Sequence, residues 1–443
     1  MRKSTYASIA SICMLPALFW SQDSSAIPNW SRKYGTSCYT CHSGFPTRNS
    51  FGEAFKANGF RWPGGEDADH AKQEQVKLGA DGWKNTFPDS PWPSDLPGYA
   101  PVAIFVTGNL VNYKDKVQKA NGTQISPQLL NWNGPFDARI LFGGTIGENV
   151  GFFGAIQGLA PTATNSQVSS NFRATWSFSP GVMLGVGNSF NFFSSGEDIS
   201  TYSRVFPSTN GTGLEFTYVA GEKSGGVNIY AGVAGKGTNA SQLSSDGTKI
   251  GSVTALNAGN SATAINNTSV PTHLDDIRYI RAEYKIGGAG VLSGAGGTLG
   301  NGYLGMDNHL GIGVGIVDTK PGYSTFLGEE TVYGVDATGN YGSFTGGVAY
   351  SKGKVLRLSN YAVDAGYFVY PWLKAAVAYS NLGVVGVNQN NPTYTTTVTA
   401  WPKANISLAA AYKLFSKKND PTKATTTGEN NPNTFTLTAG LGF

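Results

Sequence analysis

Charge is what this sequence has least of. Charged residues make up 14% of its 443 positions, against roughly 25% in a typical soluble domain. That scarcity excludes an ordinary cytosolic globular protein and a highly charged disordered chain. The formal net charge of +4 is too small to point to a nucleic-acid partner. Long apolar runs are missing too. Beyond position 26 no stretch reaches the ~18 residues that a spanning helix needs. Glycine has no three-residue period, which excludes collagen. What the chain does have is dispersed apolar residues (40%), 59 glycines, and 9 Trp, 21 Tyr and 24 Phe. That profile suits a membrane β-barrel.

The first 26 residues read as an export signal. Arg2 and Lys3 precede a mostly apolar segment at positions 9–20, and Ser24, Ser25 and Ala26 supply small residues for cleavage before Ile27. Cys13 is lost with this segment, so the mature chain keeps only Cys38 and Cys41.

Cys38-Tyr39-Thr40-Cys41-His42 is the sharpest motif. Two thiols at this spacing form thioethers to the vinyl groups of one heme, and the adjacent histidine reaches the iron as proximal ligand. A redox CxxC would need a thioredoxin-like βαβ context, and a zinc site would need further ligand pairs. Neither surrounds the motif, so the expectation is one covalent heme c. A local methionine cannot be the sixth ligand, because none lies between Met14 and Met183. His70 is the first choice for that position. The plain alternative is that His70 is a solvated loop residue among Glu66, Asp67, Ala68 and Asp69.

From about residue 100 period-2 segments of roughly ten residues recur, as tilted membrane strands require. Phe172, Ala174, Trp176 and Phe178 alternate with Asn171, Arg173, Thr175 and Ser177. Phe435, Leu437, Ala439, Leu441 and Phe443 alternate with small residues up to the C-terminus. Sixteen strands are expected, beginning near 102, 137, 150, 169, 182, 213, 226, 277, 308, 330, 342, 358, 372, 394, 405 and 434. Tight turns alternate with longer loops, the asymmetry of short periplasmic turns and long outer loops. The exception is 287–307, a Gly-rich stretch where a tight turn is due and a register error can hide.

The fold expected is mainly β: a transmembrane antiparallel β-barrel of about 16 strands (100–443) with a small N-terminal monoheme c-type cytochrome domain (27–95). So small a domain has too little core to stand well alone, and seating inside the barrel would support it. One strand offers a seat. His309, Gly311, Gly313 and Gly315 face inward, and side-chain-free positions let a bulky group approach the wall. His309 is therefore the second candidate for the sixth iron ligand, at the periplasmic mouth. Its plain alternative is a water-facing histidine in a Gly-rich chain.

The segment Ala26-Ile27-Pro28-Asn29-Trp30-Ser31-Arg32-Lys33-Tyr34, then CxxCH, then Phe45-Pro46 and Asn49-Ser50-Phe51-Gly52, resembles the fused cytochrome-porins of iron-oxidising bacteria. The match covers about residues 26–60, and Arg48 departs from it, standing where an apolar residue is expected. The resemblance implies an outer-membrane iron oxidase, an electron-transfer oxidoreductase. Extracellular Fe(II) would be oxidised, and electrons would pass through the heme to a periplasmic carrier such as a soluble cytochrome c or a copper protein. Oxidising iron outside also keeps poorly soluble Fe(III) out of the periplasm. His273, Asp275 and Asp276, on an outer loop, offer hard ligands for a transient iron encounter. Two other functions fit the same residues: a diffusion porin with a heme-bearing plug, and a reductase running electrons outward.

Overall fold

A computed structural model provides the architecture. It describes residues 29–45, 47–64, 67–73, 85–86, 97–114, 117–118, 124–125, 133–158, 169–188, 212–235, 274–294, 307–319, 330–353, 359–384, 389–403, 405–415 and 433–443. The export segment, positions 1–26, lies outside the described residues.

Sixteen antiparallel strands close into one barrel. In chain order they are β1 (Val102–Lys114), β2 (Asn133–Ile146), β3 (Val150–Gln157), β4 (Ser169–Ser179), β5 (Val182–Gly187), β6 (Gly213–Ala220), β7 (Ser224–Ala234) and β8 (Ile277–Ala289). The second half is β9 (His309–Thr319), β10 (Glu330–Tyr341), β11 (Phe344–Gly353), β12 (Ser359–Tyr370), β13 (Leu373–Val384), β14 (Gln389–Lys403), β15 (Ile406–Phe415) and β16 (Thr434–Gly442). Each strand pairs with the next, and β16 returns to β1. Ile104 and Phe443 exchange backbone hydrogen bonds of 2.5 and 2.8 Å, so the terminal aromatic completes the ring. Closure satisfies every strand edge, which lipid cannot do.

The period-2 pattern sorts the faces as expected. On β4, Phe172, Trp176 and Phe178 are 41–57% exposed on the outside, while Arg173, Thr175 and Ser177 are buried inside. Leu310, Ile312, Val314 and Ile316 on β9 are likewise exposed outward. Such an apolar belt suits the outer membrane. The 287–307 stretch holds no register error. β8 and β9 pair without slippage from Ile277↔Thr319 to Gly287↔His309. The described residues 290–294 lie at the short-turn end of the barrel, and 295–306 lie outside the described residues.

The N-terminal segment lies within the ring at that same end. It contains α1 (Asn29–Tyr34), a 3-10 turn (Cys38–Thr40), a small hairpin (His42–Gly44 with Thr47–Arg48), α2 (Ser50–Ala57) and α3 (Asp67–His70). Asn49 caps α2, its side chain accepting the Gly52 N–H at 3.0 Å, and Glu53 in the first turn suits the helix dipole. Gly59, at φ +68°, lets the chain turn out of the helix. Tyr34, Phe51, Phe55 and Trp62 form the segment's own core, with Trp30, Cys41 and Phe60 packed around it. Burying each such ring is worth about 2 kcal/mol.

Inward-facing wall groups hold this plug. Asn29 Nδ2 donates to the Gly143 carbonyl at 2.6 Å, and Lys33 donates to Thr145 Oγ1 at 2.7 Å. Arg61 donates to Ser177 Oγ at 2.7 Å, and Trp401 Nε1 donates to the Phe45 carbonyl at 2.9 Å. From the β8–β9 connection, Val291 and Leu292 join Ala57, Met183 and Val219 in a second apolar cluster.

Candidate functional site

Cys38 and Cys41 bracket the 3-10 turn, with the Cys41 N–H donating to the Cys38 carbonyl at 3.2 Å. Ser37 caps it, its hydroxyl accepting from the Tyr39 N–H at 3.2 Å. The thiols are not bonded to each other. Burial raises the Cys38 thiol and pushes the Cys41 thiol up to about 12. Burial at both positions therefore favours an uncharged sulfur. A thioether, which carries no charge, fits the same surroundings without penalty.

α2 presses directly on the motif. Any side chain at Gly52 would collide with the Cys41 carbonyl. Asn49 reaches back to donate to the Tyr39 and Thr40 carbonyls at 2.9 and 3.2 Å, and its N–H donates to the Cys41 carbonyl at 3.0 Å. These contacts call for an asparagine at 49 and a glycine at 52.

His42 opens the hairpin. Its Nδ1 lies 3.3 Å from the Thr47 carbonyl, and an Nδ1–H donated there leaves Nε2 to meet a metal. Its ring meets Phe45 edge-on at 5.1 Å, and Phe45 packs in turn on Phe105 of β1. Two neutral thiols and an adjacent, oriented imidazole are a donor set that fits a covalently bound heme.

His70 ends α3, its ring stacked on Trp62 at 4.5 Å and 15°. It is therefore not a free loop residue. Trp62 belongs to the aromatic cluster against which Cys41 also packs, so the plug brings the motif and His70 to one cluster. Asp67, at the start of α3, is the anchor. It pairs with Lys33 and accepts from the Tyr34 hydroxyl at 2.6 Å and the Trp62 N–H at 2.8 Å. Burial alone would raise the Asp67 carboxyl, but the Lys33 ammonium and these donors hold it below its ordinary value. Sequence reasoning missed this triad. Its signal was two opposite charges, Lys33 and Asp67, at either side of an apolar cluster.

His309 faces inward at the short-turn end of β9, as expected. Its Nδ1 lies 3.0 Å from the Asp307 carboxylate. The same carboxylate accepts from Ser50 of α2 and pairs with Lys285 at 2.9 Å, so His309 is linked to the plug through Asp307. Against burial, His309, Lys285 and Ser50 draw the Asp307 carboxyl well below the carboxylate range.

The glycine stripe is a correction. Gly313 is covered by the guanidinium of Arg281 from β8, which pairs with Glu283 at 2.9 Å and Asp336 at 2.7 Å. At Gly313 the space is taken by a neighbouring strand's side chain, while the N-terminal segment meets the same wall at its end, where Ser50 donates to Asp307. At the outer loop, Asp275 is held by Arg278 at 2.8 Å and Asp276 is buried. His273 lies outside the described residues. Among the described residues no group of three metal-ligating side chains occurs.

Two further features shape the lumen. Arg173 pairs with Glu215 at 2.5 Å, and the Tyr279 hydroxyl donates to Glu215 at 2.7 Å. Arg173, Glu215 and Arg281 face inward yet are at most 3% exposed. A cleft of about 800 Å³ also lies between the plug, at Arg61, Trp62 and Asp67, and the rim turns at Glu148, Ser179 and Glu222.

No family model and no curated protein matches the chain. Among solved structures it is similar to an anion-selective porin from Comamonas acidovorans, at 11% identity over 77% of this chain and 99% of that one (TM-score 0.42). A mutant of the Rh. blastica porin gives 11% identity over 77% and 100% of the two chains (TM-score 0.40).

Proposed function

We propose that the chain is an outer-membrane electron conduit whose lumenal plug carries one covalent heme c. The observation that supports this reading is the placement of Cys38, Cys41 and His42 on a segment fastened inside the ring. Bound there, the heme supplies a one-electron couple. Cys38 and Cys41 would tether it and His42 would hold the iron, with His70 the first candidate for the second iron ligand and His309 the runner-up. The donor is extracellular Fe(II), and the acceptor is a periplasmic soluble cytochrome c or copper protein. Each Fe(II) gives up one electron and leaves as Fe(III), so no tight iron site is required. The test is stopped-flow absorbance of the purified ferric protein mixed with anaerobic Fe(II). Rapid growth of reduced c-heme bands supports the conduit, whereas no reduction of a fully hemylated protein rejects it.

A diffusion porin with a heme-bearing plug is the second reading. A closed sixteen-strand ring has the bore for it, and the 800 Å³ cleft beside the plug gives solutes an approach. Planar-bilayer recordings separate the two. Large steady conductance means diffusion, and a silent barrel that accepts electrons means a conduit.

A further inference from the structure

Trp401 reaches the CxxCH hairpin from the barrel wall. The register of β14 against β15 slips between Ala400 and Lys403, and a bulge of this kind re-aims a side chain. Trp401 points inward there and is 4% exposed. Its backbone N–H donates to the Trp372 carbonyl at 2.7 Å, and its ring stacks on Phe368 at 6.2 Å. The wall itself therefore fixes the indole.

Two contacts carry that fixed ring to the residues just after His42. A Cβ at Gly44 would lie 2.5–2.8 Å from three atoms of the Trp401 ring, so the indole rests on bare backbone there. The indole N–H donates to the Phe45 carbonyl at 2.9 Å. The Phe45 ring meets the His42 ring at 5.1 Å and 62°, and it also packs on Phe105 of β1 at 4.9 Å. Phe105 in turn covers Gly440 of β16, where a Cβ would lie 3.4 Å from its ring. Phe45 is thus placed by strands on both sides of the barrel junction. Within the hairpin, the Thr47 carbonyl, 3.3 Å from Nδ1, selects the tautomer of His42. The edge-on Phe45 ring limits how far the imidazole plane can turn.

We propose that Trp401 is a positioning residue for His42: through Gly44 and Phe45 it sets the plane of the imidazole that would hold the heme iron. The inference rests on the heme reading and adds that the barrel wall, as well as the plug, tunes the iron. Groups one step behind a metal ligand change its affinity by roughly 10–100-fold, and such contacts are among the levers a protein has on heme potential. Trp401 and Phe45 are 356 positions apart. Their bond forms only once β14 and the plug are both in place, so the geometry of His42 depends on the assembled barrel.

The experiment is electron paramagnetic resonance of the ferric, full-length hemylated protein in detergent, joined to a redox titration. The set is wild type, W401A, W401F, F45L and S177A. Wild type should give one narrow low-spin signal, whose g-values report the axial ring plane. W401A and F45L should both shift and broaden it. W401F keeps a ring over Gly44 without the indole N–H, so its shift should be smaller. A loss of about tenfold in the preference of His42 for ferric iron in W401A raises the midpoint potential by about 59 mV. S177A removes a different fastening of the plug, the hydroxyl that accepts from Arg61, and should keep the wild-type signal and potential. A fully hemylated W401A with the wild-type signal and potential overturns the proposal alone. An S177A protein that changes as much as W401A also overturns it, because general loosening of the plug then accounts for both. If W401A does not assemble, W401F and F45L decide by the same criteria. Wild-type protein without covalent heme by the pyridine hemochrome assay overturns the heme reading and this proposal together.

Discussion

Lys33 of the plug donates to Thr145 Oγ1 on β2 at 2.7 Å, and the same buried ammonium is ion-paired with Asp67. One side chain therefore joins the wall, α1 and α3. Removing a partner from a buried pair leaves an uncompensated charge, at a cost of about 3–5 kcal/mol. D67N should loosen the plug while the barrel stays closed. Limited proteolysis should then cut the N-terminal segment faster, with barrel circular dichroism unchanged.

The same carboxylate sets an acid limit. Asp67 is held below its ordinary value, so its contribution to stability is complete above about pH 4. It is lost as pH falls further through the lowered native value. Tryptophan fluorescence from the Trp30 and Trp62 cluster should therefore shift on acidification below pH 4. In D67N that dependence should flatten.

On the heme reading, the two distal candidates separate by spectrum. H70A should convert a low-spin ferric heme to high-spin, and H309A should leave the absorbance spectrum unchanged. The reverse pattern would transfer the sixth position to His309.

Gly313 tests the wall rather than the plug. The guanidinium above it is pinned by Glu283 and Asp336 and cannot easily swing away. G313V should displace Arg281 at a cost of about 1–3 kcal/mol, as overpacking does. The heat-dependent gel shift of the folded barrel should move to lower temperature.

Deleting Phe443 removes both backbone hydrogen bonds to Ile104 and the outward-facing terminal ring. Membrane assembly, followed as protease-resistant barrel over time, should slow several-fold.

The barrel was legible because each strand announces itself by local alternation. The misplaced starts have local causes. β14 begins at Gln389, not 394, because Gln389 to Pro392 has the composition of a turn. β2 begins at Asn133, not 137, because Pro135 sits in a bulged register opposite Gly108. The plug's fastening was not legible. Asn29 and Gly143 are 114 residues apart, Ser50 and Asp307 are 257 apart, and Phe45 and Trp401 are 356 apart. The glycine stripe misled because its occupant, Arg281, comes from an adjacent strand, and one strand's periodicity carries no information about its neighbour's side chains.

Phe45 meets β1 through Phe105 and β14 through the Trp401 indole. Between those two strands lie β15, β16 and the junction where the last strand finds the first. The plug is thus a tie-bar stapled across the joint of the hoop. Tension that would unzip the ring at its final seam has to break this brace as well as the ladder. The seam thus has a second fastening besides its own strand ladder.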